Sequence, residues 1–148
     1  MAYQAFGVPE IAPDVAYMLL DRSQSSLLQL RGKVVLVNFW ATSCASCVHE
    51  MPQIVALHEK FQARGYETLA VAMRYDPPAL VIHFAERNKL PFGVAIDNTG
   101  EIAKRFGEVQ LTPTSVLINQ RGEIVKRFVG EPDFVALQRL VEKLLTQG

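Results

Sequence analysis

The chain has 148 residues, 49% of them hydrophobic and 20% charged, with 15 basic and 15 acidic side chains and a formal net charge of zero. That length fits one domain with a core large enough to do without staples. No basic stripe or long charge run stands out, which argues against nucleic acid or an anionic membrane surface as a partner. No apolar run approaches the roughly 18 residues of a membrane-spanning helix.

The first 33 residues read as a loose arm leading into the domain, the N-terminal extension 1–32 packing on the core. The opening "MAYQAFGVPEIAPDV" has no basic segment followed by an apolar stretch, and the first positive charge is Arg22. No export signal is therefore expected in this sequence, which leaves a cytosolic protein or one whose leader has been removed. "VAYMLL" (15–20) is predicted as a short strand and "SLLQL" (26–30) as a second extended piece. "KVVLVNFW" (33–40) is almost continuously apolar and β-branched, the pattern of a strand buried on both faces. Buried parallel strands need covering helices, so an α/β fold is expected.

From Cys44 to about Arg64 the spacing turns helical, with Val48, Met51, Val55, His58 and Phe61 as the inward stripe and Pro52 as an expected kink. "GYETLAVAM" (65–73) is the next buried strand, and "DPP" (76–78) opens a helix reaching about Asn88. "FGVAI" (92–96) is a third strand and "EIAKRF" (101–106) a short helix ending at Gly107. "TSVLIN" (114–119) and "EIVKRFV" (123–129) form a hairpin around "QRG". A last helix starts near Pro132, its apolar face made by Phe134, Leu137, Leu140, Val141, Leu144 and Leu145.

Cys44 and Cys47 are the only cysteines. A zinc site needs four ligands, and His49, His58 and His83 are scattered, so no metal site is expected. Haem attachment needs His directly after the second Cys, where Val48 stands. A disulfide across so short a ring closes almost no loop and adds little stability. A cycling dithiol fits the setting. Cys44 follows a strand and opens a helix, where unpaired N–H groups and the helix dipole favour a thiolate. Cys47 lies one turn inward, which makes Cys44 the nucleophile and Cys47 the resolver.

At this point the sequence resembles the TlpA/ResA-like branch of the thioredoxin-fold thiol-disulfide oxidoreductases. The matching residues are "LRGKVVLVNFWAT" (30–42), Cys44-Ala45-Ser46-Cys47, "HEMP" (49–52) and "LTPTSVLINQRGEIVKRFVG" (111–130). The resemblance implies an α/β, thioredoxin-like three-layer fold with a central mixed β-sheet and an inserted βα unit before the cis-Pro segment. The two βα units at 65–89 and 92–107 leave room for that insertion. It also implies a cis Thr112-Pro113 bond facing the cysteines, and an X-Pro bond costs only about 0.5–1 kcal/mol to go cis. The Thr112 backbone could then pair with a substrate strand. No cofactor beyond the Cys44-Cys47 disulfide is implied. The implied partners are protein disulfide substrates and an upstream electron donor, a membrane donor in the bacterial periplasm, with apocytochrome c or copper-site proteins as clients. The protein is expected to be a monomer, reaching a membrane only through an absent leader.

Departures from the family pattern touch the groups that tune the thiolate. Ser43 stands where members often have Trp, Ala45-Ser46 replaces a proline-containing insert, and Asn38 occupies the place of thioredoxin's buried Asp. The resemblance implies a Glu at the start of the inserted region, but "MRYDPP" (73–78) offers only Asp76. Asp76 is thus a candidate proton acceptor for Cys47, or simply the cap of the helix that follows. Trp40 could touch the active site or be a core aromatic. Glu50 and His49 could tune the thiolate, although their ordinary reading is solvated surface. His58 and His83 read as surface or core-edge residues, and Met73 as packing. Two rivals remain: a thiol peroxidase, for which Thr42 stands one place too close to Cys44, and a copper-handling protein, which would need an additional His or Met aimed at the pair.

Overall fold

The computed structural model describes residues 8–148, so the part of the expected arm at 1–7 lies outside the described residues. Strands β1 (Ala16–Met18) and β2 (Gln24–Ser26) pair as a small antiparallel hairpin. The segment expected to extend over 26–30 instead winds into a 3₁₀ turn at Leu27–Leu30. Two hydrogen bonds hold it: Leu27 N–H donates to Val15 O at 3.1 Å and Leu28 N–H to an Asp14 carboxylate oxygen at 3.0 Å. Those bonds fold the chain back and drive Leu27 into the core, which an extended backbone could not do.

The main sheet contains β3 (Val34–Trp40), β4 (Tyr66–Ala72), β5 (Gly93–Ile96), β6 (Thr114–Ile118) and β7 (Ile124–Val129), in spatial order β5-β4-β3-β6-β7. β3 is central, and all seven of its residues are buried. It runs parallel to β4, from Val34 opposite Tyr66 to Trp40 opposite Ala72, and antiparallel to β6, with Phe39 opposite Thr114. β4 and β5 are parallel and β6 and β7 antiparallel, so the sheet is mixed.

Helices α1 (Ala45–Phe61) and α2 (Pro78–Arg87) carry the two parallel crossovers. Both crossovers step the same way across the sheet, from β3 to β4 and from β4 to β5. Right-handed connection therefore puts both helices on one face. They join α4 (Phe134–Gln147) over Val34, Leu36 and Trp40. The opposite face, Val35, Val37 and Phe39, is covered by Ala12, Val15, Tyr17, Leu27 and the short helix α3 (Glu101–Arg105) with Phe106. Residues 10–12 bind alongside the β6–β7 turn through Ile124 N–H to Glu10 O and Ala12 N–H to Gly122 O, both 2.8 Å.

α1 continues unbroken through Pro52. Its buried stripe is Cys47, Glu50, Met51, Ile54, Leu57, His58 and Phe61. The expected stripe was rotated by about one residue, because Val48 is exposed and Val55 only half-buried. His58, which the helical spacing put on the inward stripe although a lone histidine reads as surface or core edge, is buried, with Nδ1 3.1 Å from Thr68 Oγ1.

The last helix is capped by Asp133, whose carboxylate accepts from Val135 N–H at 3.0 Å and Ala136 N–H at 3.2 Å. Asp133→Ala is expected to destabilise the fold by about 1 kcal/mol, while Asp133→Asn stays near the parent. Denaturant midpoints of the two variants check this, and equal losses would remove the cap from the account.

Candidate active site

β3 ends at Trp40, and four residues carry the chain to the start of α1. Cys44 is the N-cap of α1 and is bonded to Cys47. Its sulfur accepts from Cys47 N–H at 3.2 Å, and Ser46 Oγ lies 3.6 Å away. These are the groups that would hold negative charge on Sγ once the disulfide opens. Cys44 is half-buried and Cys47 fully buried, so the accessible sulfur belongs to the residue at the helix end.

The Thr112-Pro113 peptide bond is cis. Because Thr114 pairs with Phe39, continuing the register places Pro113 beside the Trp40 end of β3, where the chain leaves for Cys44. The Pro113 carbonyl accepts from Gly130 N–H at 2.8 Å, which ties that segment to the end of β7. Ser43 is exposed next to Cys44 and Thr112 is half-buried. Trp40 is wholly buried, its ring centred 5.1 Å from that of Phe84 on α2, so it is a core aromatic beneath the site.

One turn beyond Cys47 lies Glu50, for which the sequence left thiolate tuning open beside the ordinary reading of solvated surface. Glu50 is fully buried. Asn38 Nδ2 donates to Glu50 Oε2 at 2.9 Å and to Ser115 Oγ at 3.0 Å, which links β3, α1 and β6 under the cysteine pair. Glu50 Oε1 has no hydrogen-bond partner among the described residues, so it is the oxygen free to take a proton. Burial pushes the Glu50 carboxyl up to about 7, against the opposing Asn38 hydrogen bond and with help from the charge of Glu131. A signal for Glu50 was present in the spacing. It stands three residues after Cys47 and four before Ile54, on the helix line that also carries Phe61.

Asp76 occupies a different place from the one expected of a cap. The N-cap of α2 is Pro77, and no side chain caps the helix. The Asp76 carboxylate instead accepts from Thr42 N–H at 2.7 Å and from Thr42 Oγ1–H at 2.6 Å, while Asp76 is 2% exposed. It clamps the loop leading into Cys44 to the start of the inserted unit. His49 is on the surface as expected, paired with Glu131 at 2.9 Å, and that contact raises its proton affinity.

The raised Glu50 carboxyl has a consequence for stability. Between its ordinary value near 4.5 and about 7 the folded chain holds a proton that the unfolded chain has released. Stability is therefore greatest below that window and falls as pH rises through it, by about 3 kcal/mol at most. Glu50→Gln removes this slope, so the variant should gain on the parent between pH 5 and pH 8 in denaturant midpoints. Parallel pH profiles for the two proteins would show that Glu50 titrates normally.

Thiol-disulfide oxidoreductase ResA of Geobacillus thermodenitrificans is 37% identical over 103 residues, 70% of this chain and 59% of that protein. The chain thus spans somewhat more than half the length of the curated relatives it matches. A solution structure from Neisseria meningitidis, provisionally called a thioredoxin, superposes with a TM-score of 0.87 at 37% identity, covering 95% of this chain and 93% of that one. A Chlorobium tepidum crystal structure provisionally called the thiol:disulfide interchange protein DsbE gives 0.85 at 28% identity, covering 93% and 96%. These likenesses show a thioredoxin-like fold. With the Redoxin profile matching residues 8–140, around the joined cysteines and the buried Glu50 beneath them, the chain belongs to the Redoxin family.

Proposed function

We propose that the protein is a thiol-disulfide oxidoreductase that reduces disulfides in client proteins, with the structure describing its oxidised state. The single observation that carries this reading is the Cys44–Cys47 bond at the start of α1, with the outer sulfur accessible and a buried, protonatable Glu50 one turn behind the inner one.

In the reduced protein, the Cys44 thiolate attacks one sulfur of the client disulfide. The client's S–S bond breaks, a mixed disulfide forms and one client thiolate leaves. Cys47 then gives its proton to Glu50 Oε1, and its sulfur attacks Cys44 Sγ. The mixed disulfide breaks, the second client thiolate leaves and takes up a proton, and the Cys44–Cys47 bond is remade. Two electrons have passed to the client, and a dithiol donor must supply the next two. A carboxyl with its proton affinity near neutrality suits this relay, since it can accept the proton and then lose it at working pH. The client strand lies along the Thr112 backbone, beside Pro113. Asp76 is the other acid near the cysteines, but both of its oxygens are already taken by Thr42.

The proposal extends to a bacterial protein working in the periplasm, supported by the likeness to the bacterial ResA and DsbE-like thiol-disulfide proteins. No helix among the described residues is long and apolar enough to cross a membrane.

Two measurements test the reading. Iodoacetamide on the reduced protein at neutral pH should modify Cys44 first, and preferential labelling of Cys47 would reverse the roles. In stopped-flow resolution of a pre-formed mixed disulfide, Glu50→Gln should slow release by about 10²–10⁴-fold and abolish the rise in rate through pH 7. Slowing confined to Asp76→Asn would move the acceptor role to Asp76.

A further inference from the structure

The inserted helix α2 presents Leu80, His83, Phe84 and Arg87 at i, i+3, i+4 and i+7, which is one face of a helix. Together with Thr42, Ser43 and Asn88 they line a groove of about 500 Å³. One end of it is the loop directly preceding Cys44. Leu80 is 53% exposed, whereas Val81 and Ala85, on the neighbouring face, pack inward. Phe84 is half-buried and rests on Trp40, which makes the floor rigid. The near wall is fixed by the Asp76–Thr42 clamp.

The charge of the groove is one-sided. Among the residues that line it there is no carboxylate, and Arg87 forms no ion pair among the described residues. Arg64, Arg121 and Arg127 are ion-paired, with Glu142, Glu123 and Glu10, whereas Arg87 is among the arginines for which no carboxylate stands within reach among the described residues. An apolar trough that carries an unpaired guanidinium and is bounded by Thr42 and Ser43, the residues leading into Cys44, defines a complementary ligand.

We infer that this groove docks the polypeptide flanking the client's reactive cysteine, an extended segment that sets an apolar residue on Leu80 and Phe84 and a carboxylate on Arg87. The inference rests on the proposed oxidoreductase function and specifies its substrate class. The helix rise from Leu80 to Arg87 is about 10 Å. An extended chain covers that in about three residues. The acidic residue therefore lies roughly three positions from the apolar one, and about four from the client cysteine when that apolar residue stands next to it. A preformed groove of this kind costs little ordering energy on binding, and a matched charge selects against basic segments.

The experiment separates docking from catalysis. Short peptides carrying Leu next to the reactive position, with Ser in place of that cysteine, are made with Asp, Asn or Lys three or four residues away on either side. They are titrated into the oxidised protein, read by the fluorescence of Trp40, the only tryptophan in the chain. The Asp peptide should bind about tenfold or more tighter than its Lys counterpart, and Arg87→Glu should invert that order. Equal affinities for the three peptides, or an Asp preference that survives Arg87→Glu, would overturn the inference. So would a concentration-dependent dimer that Arg87→Glu abolishes, since the groove would then belong to a second copy of the chain. Cysteine-containing disulfide versions of the peptides report on the proposed function itself. If none is reduced while the Asp preference and its inversion hold, the oxidoreductase reading fails and the groove's selectivity stands.

Discussion

The burial of a carboxyl on the inner face of α1 is the constraint around which the site is arranged. A charged Glu50 with one hydrogen bond in a dry interior is costly, and the chain meets that cost in two ways. Asn38 donates to Oε2, and the carboxyl keeps its proton to about neutral pH. The same Asn38 amide reaches Ser115, so the network joins β3, α1 and β6 through a core that is otherwise largely apolar. An Asp in place of Asn38 would have set a second acid against Glu50, and two carboxyls so close could not both ionise. Asn at this position and a buried Glu one turn past Cys47 are therefore mutually dependent choices.

Topology explains why the reacting groups meet where they do. β3 and β4 are parallel, so their C-terminal ends lie at the same edge of the sheet. The loop to Cys44 leaves one of them and the turn to Asp76 leaves the other. β6 runs antiparallel to β3 and begins at that same edge, just after Pro113. Groups on three separate segments thus converge without any long excursion of the chain, at the carboxyl ends of the strands where open α/β sheets place their sites. Met73 N–H to Trp40 O at 3.0 Å and the Asp76–Thr42 contacts then lock the two strand ends together.

Much of this was legible in the sequence. Long, strongly patterned runs such as "KVVLVNFW" define a strand by burial alone, and the CxxC pair at a strand-to-helix junction carries its chemistry in its spacing. What was missed depends on tertiary context. On α1 two stripes compete, one through Val48 and Val55, the other through Cys47, Glu50 and Ile54. Hydrophobicity favours the first, because the second contains a formal charge. The structure takes the second, since Asn38 waits on β3 and the carboxyl can be neutral. The "SLLQL" turn was hidden for a related reason: its conformation is fixed by Asp14, a residue distant along the chain. Asp76 was read as a proton acceptor or a local cap, the cap because such use of Asp before proline is common, while its actual partner Thr42 lies 34 residues away.

Glu50 and Asp76 show how one chemical group is given two uses by its surroundings. Both are nearly inaccessible, and both lie within a short reach of the cysteine loop. Asp76 meets a backbone N–H and a hydroxyl, two donors that satisfy its oxygens and make it a structural bracket for Thr42. Glu50 meets one amide and an apolar interior, which leaves an oxygen unoccupied and the carboxyl ready to change its protonation state near neutral pH. The difference lies in the number of donors each environment supplies. A carboxylate given its full set of donors holds a loop in place, and one given too few is available to move a proton.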